Sequence, residues 1–297
     1  MEVPALKEIT TFEAHTSYIL GLTFTKNSRT LISNGMDKHI KLWSVPGWDS
    51  IRTFKGHTNS VNGFALSPDE DILVSGSTDN TVKIWSFPDG KILYSLQDRK
   101  KVVSTVQISA DGNWVIAGSY GGRVSIWTVD GEPVTAFKAS DKNLSSAALS
   151  PDGAILATAG LGNEIHLWSM PSCEPFDTLT GHETAVGILK FINQGNTLVS
   201  VGYEGRIRFW DTATWVTRRN LADSFDNIKG LAVSPDERLI AVSIESLVRL
   251  YETESLSLLY EIPVSTKVIN GIAFSPDGRW LALGAADKKI RIWEMDL

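Results

Sequence analysis

Two stretches of this chain carry a histidine, a serine, an aspartate and a tryptophan at identical spacing. The two sets are His15, Ser33, Asp37 and Trp43, and His57, Ser75, Asp79 and Trp85. In a hydrolase triad, a histidine takes the proton of a serine nucleophile, and a carboxylate orients the histidine. Taken alone, each set therefore indicates acyl-transfer chemistry.

The recurrence of the set favours a structural role over catalysis. A third stretch repeats it in part, with His182, Ser200 and Trp210, and with Glu204 in place of the aspartate. An active site occurs once, in a cleft, whereas a recurring polar cluster satisfies its own buried hydrogen-bonding groups. We therefore predict no catalytic residue and no enzyme, and an enzyme with an unrecognised site remains the weaker alternative.

Short strands that recur through the whole chain must position these sets. Gly56–Trp85 holds an alternating run, a Ser-Pro-Asp-Glu turn, a second short run, an Asp-Asn turn and a third run ending in tryptophan. A fourth run with one apolar anchor follows. The first turn recurs every 41 or 42 residues, at positions 25, 67, 109, 150, 192, 234 and 275. Seven units of four strands, each unable to bury both faces alone, predict sheets stacked radially.

The residues of these units resemble the WD-repeat family. Gly56-His57, Gly181-His182 and Trp210-Asp211 match its motifs literally, and the Ser-Pro-Asp-Gly turn matches at Ser150 and Ser275. The resemblance covers essentially the whole chain. It implies an all-β, seven-bladed β-propeller with four antiparallel strands in each blade.

The spacing of the units sets the expected boundaries of a single domain over residues 1–297. The blades are expected at about 15–54, 57–96, 99–137, 140–179, 182–221, 224–262 and 265–297. The last unit lacks a fourth run of its own. Phe12 precedes His15 by the same interval as Phe54 precedes His57, so Glu8–Phe12 is predicted to complete the last blade and to close the ring.

The resemblance also implies roles for the recurring polar set. In similar WD repeats the histidine bonds the aspartate and the serine, and the serine bonds the tryptophan indole. Carried over residue by residue, the structural network is expected at His15, Ser33, Asp37, Trp43, His57, Ser75, Asp79, Trp85, His182, Ser200 and Trp210. Blades 3, 4 and 6 lack the set and are expected to rely on apolar packing.

Composition narrows the classes of partner and compartment. The formal net charge is −6, which disfavours nucleic acid as a partner. Cys173 is the only cysteine, so no internal disulfide forms. We expect no cofactor, no metal site, no membrane span and no secretory signal. A cytoplasmic location is predicted, or a nuclear one in a eukaryotic host.

In propellers that resemble this one, partners bind where the loops before the first strand and between the second and third strands emerge. The candidate binding residues carry almost no charge, as protein-interface cores do. They are Tyr18, Leu20, Met36, Asn62, Tyr120, Asn143, Leu161, Tyr203, Asn227 and Asn270.

These observations together predict a monomeric, non-catalytic scaffold that acts within a multiprotein complex. It is predicted to dock proteins or peptides on the face where these loops emerge, which is the mouth of the propeller's central channel. The alternative is that the chain is the sensor or scaffold domain of a larger multidomain protein, with the chemistry encoded elsewhere. The resemblance leaves this open, because the family's propellers have very diverse partners and the fold alone does not specify a function.

Overall fold

The computed structural model describes residues 6–97, 100–222, 228–264 and 268–295. It contains 28 strands and one 3-10 turn, Asn193–Gly195. In chain order the strands are β1 (Leu6–Glu13), β2 (Ile19–Phe24), β3 (Thr30–Gly35), β4 (Ile40–Ser44), β5 (Ser50–Phe54), β6 (Val61–Leu66), β7 (Ile72–Ser77), β8 (Val82–Ser86), β9 (Ile92–Leu96), β10 (Val103–Ile108), β11 (Trp114–Ser119), β12 (Arg123–Thr128), β13 (Pro133–Lys138), β14 (Leu144–Leu149), β15 (Ile155–Gly160), β16 (Ile165–Ser169), β17 (Glu174–Leu179), β18 (Val186–Ile192), β19 (Thr197–Gly202), β20 (Arg206–Asp211), β21 (Thr217–Ala222), β22 (Ile228–Val233), β23 (Leu239–Ile244), β24 (Leu247–Glu252), β25 (Leu258–Pro263), β26 (Ile269–Phe274), β27 (Trp280–Ala285) and β28 (Lys289–Met295).

These strands form seven four-stranded antiparallel sheets, so the predicted seven-bladed β-propeller is confirmed. Blade 1 is β2–β5, blade 2 is β6–β9, and blades 3 to 6 continue in the same way to β25. Blade 7 is β26–β28 with β1. Within each blade we call the strands a, b, c and d, in order from the first of the sheet to the last.

The chain forms two compact units. One unit is Met1–Gly56 with Asn227–Leu297 and holds blades 6, 7 and 1. The other is His57–Asp226 and holds blades 2 to 5. Each unit has its own apolar core between neighbouring sheets. In the second unit, Val74 and Ile84 of blade 2 pack with Val103 and Trp127 of blade 3.

The N-terminal strand completes the last blade, as the sequence predicts. β1 pairs with β28 in an antiparallel ladder that begins at Leu6 opposite Met295 and ends at Glu13 opposite Lys289. The predicted segment Glu8–Phe12 lies inside β1. The ring of Phe12 also packs on Trp43, with the two ring centroids 5.1 Å apart, so β1 joins blade 7 by hydrogen bonds and blade 1 by apolar contact.

A β-bulge occupies the same place in strand a of every blade. The ladder between strands a and b skips one residue in each: Leu20, Asn62, Ser104, Ser145, Gly187, Lys229 and Asn270. A bulge leaves its extra residue outside the ladder and re-aims side chains at a strand end. This end of each blade is also where the d–a and b–c loops emerge.

Candidate protein-docking surface

A chain of hydrogen bonds runs through the interior of blades 1, 2 and 5. In blade 2, His57 Nδ1 lies 2.8 Å from Asp79 Oδ2, and His57 Nε2 lies 2.7 Å from Ser75 Oγ. Trp85 Nε1 donates to Ser75 Oγ at 2.8 Å. Blade 1 has the same bonds from His15 to Asp37, from His15 to Ser33 and from Trp43 to Ser33; blade 5 has them from His182 to Glu204, from His182 to Ser200 and from Trp210 to Ser200.

A neutral histidine satisfies every donor and acceptor along this chain of hydrogen bonds. The Trp85 indole can only donate, so Ser75 Oγ accepts its hydrogen and has its own hydrogen to give to His57 Nε2. His57 Nδ1 then carries the imidazole hydrogen and donates it to Asp79. Burial lowers the pKa of His57, and the hydrogen bond and charge of Asp79 only partly offset that effect. Burial likewise lowers the pKa of His182 beside Glu204.

The carboxylates at the other end of the chain are ionised. Burial by itself raises the pKa of Asp37, but the hydrogen bond and charge of His15 oppose it, as do the backbone N–H groups of Thr16 and His39. Together these interactions hold the pKa of Asp37 at about 2. The pKa of Asp79 is lowered by the same balance of burial and hydrogen bonds.

The serines of the three hydrogen-bond chains are buried. Ser33, Ser75 and Ser200 each have 0% of their surface exposed, and each hydroxyl is shared between a tryptophan and a histidine. A nucleophile must reach its substrate, so these hydroxyls cannot attack one. In the described part of the chain, no group of three or more His, Cys, Asp or Glu side chains could hold a metal ion. The same residues include no helix of the length and apolarity that crossing a bilayer requires.

A second repeated feature brings the loops of each blade together. The backbone N–H of the residue before the aspartate position donates to the carbonyl oxygen of the residue three after the histidine position. These pairs are Met36 to Tyr18, Thr78 to Ser60, Tyr120 to Val102, Leu161 to Asn143, Tyr203 to Ala185 and Ala286 to Val268, at 2.8–3.0 Å. In blades 1 and 4 the bond places two of the predicted docking residues side by side, and in blades 3 and 5 it joins one of them, Tyr120 or Tyr203, to an uncharged neighbour.

Several of the predicted docking residues are large, apolar and exposed. In the unit His57–Asp226, Tyr120, Leu161 and Tyr203 expose 44%, 52% and 45% of their surface on three successive blades. With their bonded neighbours Val102, Asn143 and Ala185, they define what we call the blade 3–5 loop surface. None of these six residues is charged. In the other unit, Tyr18 and Met36 of blade 1 are also exposed and are joined by the Met36 N–H bond.

One hydrogen bond between blades and one close contact within blade 5 support the blade 3–5 loop surface. The Gly121 N–H of blade 3 donates to Asn143 Oδ1 of blade 4 at 2.8 Å. The ring of Tyr203 lies over Gly187, where a Cβ would come within 2.5 Å of Tyr203 Cε1. Gly187 is the bulge residue of β18, and because it has no side chain, the Tyr203 ring can pack directly over its backbone.

Other predicted docking residues are used inside the protein. Asn62 Nδ2 donates to the Val103 carbonyl oxygen of the next blade at 2.7 Å, and Asn270 Nδ2 donates to the Ile19 carbonyl oxygen at 2.9 Å. Both are bulge residues, and each ties its blade to the following one. Leu20, at the same position in β2, is half-buried. Asn227 lies outside the described residues.

Sequence reasoning did not find the supporting role of Gly187. The available signal was a glycine at a position where Leu20, Asn62 and Asn270 carry side chains, one turn away from a tyrosine. The packing of Tyr203 over Gly187 depends on the direction that the bulge gives to the backbone. The alternation of apolar and polar residues does not specify that direction.

Known proteins are similar to this chain in sequence. A family model described as the IFT122 first beta-propeller matches residues 18–294. Periodic tryptophan protein 2 of Saccharomyces cerevisiae is 28% identical over 90 residues, which cover 30% of this chain and 10% of that protein. The CCR4-associated factor 4 homolog of Candida glabrata is 30% identical over 92 residues, 31% of this chain and 16% of that protein.

Striatin-3 of Homo sapiens is 32% identical over 95 residues, which cover 28% of this chain and 12% of that protein. The segments of this chain that match therefore cover between 10% and 16% of the length of these three relatives.

Proposed function

Because the chain belongs to the IFT122 first beta-propeller family of WD-repeat propellers, we propose that it is a non-catalytic scaffold that docks proteins or peptides on its d–a and b–c loops. The blade 3–5 loop surface is the part of those loops that we assign to the contact. Tyr18 and Met36 of blade 1 supply a second pair of the same chemistry.

One observation carries this proposal. Tyr120, Leu161 and Tyr203 are exposed and uncharged, and the same backbone hydrogen bond holds each of them on a rigid turn. Loops on a rigid scaffold carry function more often than the scaffold does. Tyrosine is enriched and charge is depleted in the buried centres of protein interfaces. A preformed surface of this kind loses little conformational entropy when a partner binds.

The enzyme alternative has less support. Its candidate nucleophiles are the three serines whose hydroxyl groups are buried and already bonded on both sides. A substrate would have to open the blade to reach them. We therefore assign the His-Ser-Trp chains a structural role, in which they hold the d–a loop against strands b and c.

The reading of the chain as one domain of a larger protein is compatible with this function. The named relatives are much longer than the segments they share with it. The name of the CCR4-associated factor 4 homolog describes an association with another protein, which supports a role in a multiprotein complex. We also propose that the protein is a monomer. We propose a location in the cytoplasm, or in the nucleus of a eukaryotic host, because Cys173 is a free thiol.

Site-specific photo-crosslinking in the native cells tests the proposal. A benzophenone amino acid replaces Tyr120, Leu161 or Tyr203 in turn, and replaces Phe176 on the outer strand β17 as the control. Phe176 is similarly exposed, at 44%, but lies away from the loops. We expect the same protein to be crosslinked from all three loop positions and not from Phe176. A protein captured equally from Phe176, or none from the loops, contradicts the proposal.

A glycine substitution then tests the surface without changing its side chains. Gly187→Ala displaces the Tyr203 ring, because the new Cβ occupies its place. We therefore expect this variant to bind less of the protein that crosslinking identifies. Gly63→Ala is the matched control, because a Cβ there meets its nearest neighbour, the Ser104 carbonyl oxygen, at an ordinary 3.9 Å. Unchanged capture by Gly187→Ala would exclude Tyr203 from the contact.

A further inference from the structure

An open groove lies between blades 3 and 4, at the end of the strands opposite to the blade 3–5 loop surface. It encloses a cavity of about 220 Å³ whose walls are mostly apolar, with Trp114 and Ile116 from blade 3, and Leu149, Met170 and Pro171 from blade 4. Trp114, the first residue of β11, is only half-buried. This volume suits one large side chain.

The equivalent place between blades 7 and 1 is filled by the chain itself. Trp280 begins β27 as Trp114 begins β11, but only 4% of Trp280 is exposed. Trp48 of blade 1 covers it edge-on, with ring centroids 5.4 Å apart. The Arg279 guanidinium lies 4.5 Å from the Trp280 ring centroid. The chain thus shows which chemistry covers a tryptophan at this position: an aromatic ring and a cation.

Blade 4 lacks the aromatic cover although its turn is the same. Cys173 occupies the position of Trp48, with φ of 59° against 60°, and both N–H groups bond the residue four positions earlier at 2.8 Å. The turn therefore carries a small thiol at the position where blade 1 carries an indole. The position of Arg279 is taken by Asn113, so the cation is also missing.

A bond that joins the two turns is absent here as well. Between blades 7 and 1, the Asp277 N–H donates to Ser28 Oγ at 3.0 Å. Gly153 of blade 4 takes the position of Ser28, and a Cβ on Gly153 would meet no atom within 4 Å. Replacement of Trp48, Arg279 and Ser28 by smaller or neutral residues explains why the groove between blades 3 and 4 is open.

Two carboxylates at the groove give it a negative charge. Asp111 and Asp152 line it, and both are exposed. Ser109 donates to Asp111, and Ser150 donates to Asp152; these hydroxyl groups, with nearby backbone N–H groups, lower both pKa values. Blade 1 has the neutral Asn27 at the position of Asp152. The groove is therefore complementary to an apolar side chain next to a positive charge.

We propose that this groove binds a segment of a partner protein in which an aromatic residue, tryptophan above all, stands beside arginine or lysine. The aromatic ring covers Trp114, as Trp48 covers Trp280, and the cation lies between the ring of Trp114 and the carboxylates of Asp111 and Asp152. This site is separate from the blade 3–5 loop surface and does not depend on the function proposed for it.

Titration with short peptides tests this site in the whole chain. The probe is acetyl-Gly-Trp-Arg-Gly-amide, and the signal is the indole N–H resonance of Trp114 in the ¹⁵N-labelled protein, assigned with Trp114→Phe. We expect this resonance to shift in a saturable way. Peptides with Glu for Arg, or with Ala for Trp, should bind at least about tenfold more weakly.

Cys173→Trp fills the groove from within, so it should abolish the shift without lowering the melting temperature. Cys173→Ser leaves the groove open and should bind as the wild type does. If Cys173→Trp fails to fold, Asp111→Asn/Asp152→Asn should remove the preference for Arg over Glu. Equal binding of the Glu peptide by the wild type, or an unchanged shift in folded Cys173→Trp, overturns the proposal.

Discussion

The atoms around His57 favour its neutral imidazole with the hydrogen on Nδ1. The Trp85 indole donates to Ser75 Oγ, and every group is satisfied when Ser75 gives its hydrogen to His57 Nε2 and His57 Nδ1 donates to Asp79. Residue types and spacing were enough to group these four residues. Their burial and bond directions required the structure, because the same types could also form an open triad.

Removal of one carboxylate shows what this arrangement contributes to stability. We expect Asp79→Ala to lower the free energy of unfolding by about 1–3 kcal/mol, because His57 Nδ1 and the Thr58 N–H lose their acceptor. Urea denaturation followed by tryptophan fluorescence measures the difference. Asp130→Ala, at an exposed turn, is the control and should have no effect. A loss of only a few tenths for Asp79→Ala would contradict a buried network.

Stability should also fall in mild acid because of two histidines. His57 and His182 have pKa values below 6.5 in the folded protein. Below pH 6.5 the unfolded chain therefore binds more protons than the folded protein does. Their contribution is complete above pH 6.5 and is lost as the pH falls. We expect a lower unfolding free energy at about pH 5.5 than at about pH 7.5. His57→Gln should make this difference smaller; an identical difference would exclude His57 as a cause.

At the scale of the strand and turn, the sequence was informative about ladders and much less about side-chain direction. The interval between Phe12 and His15, together with the missing fourth run of the last unit, located β1 and its pairing with blade 7. The amides of Asn62 and Asn270, by contrast, bond the next blade because each residue sits at a bulge. No local pattern marks that bulge, since it arises from the pairing of two strands.

The N-terminal strand should contribute far more to stability than a terminal segment usually does. Deletion of residues 1–13 removes the whole ladder with β28 and the contact of Phe12 with Trp43. It also exposes the edge of β28 to pairing with other chains. We expect a markedly lower melting temperature by calorimetry, and aggregation on heating. Lys7→Ala, an exposed position on the same strand, should melt like the wild type; equal melting of the deletion would show that blade 7 holds without β1.

For the molecule as a whole, the period of the repeats made the fold class predictable, because seven equal units allow few architectures. The surface chemistry was predictable only in part. The open groove between blades 3 and 4 exists because Cys173 and Gly153 are small where Trp48 and Ser28 are not. The difference in residue size predicts an open groove only when the two turns are known to have the same conformation.

Net charge is a property of the whole chain and gives a prediction about its partners. With a formal charge of −6, the protein should not bind duplex DNA through its phosphates. Fluorescence anisotropy of a labelled duplex at about 50 mM salt should stay constant up to high protein concentration. An increase that weakens steeply with added salt would show a basic face that the net charge conceals.

The pairing of β1 with β28 also sets the timing of folding during synthesis. β1 leaves the ribosome before the other strands of the described chain, and its partner is made last. At about 5–20 residues per second, roughly 15–55 seconds of translation separate Phe12 from Ile290. Throughout that interval the first strand has no partner, and its edge stays open to pairing with other chains until the last blade emerges.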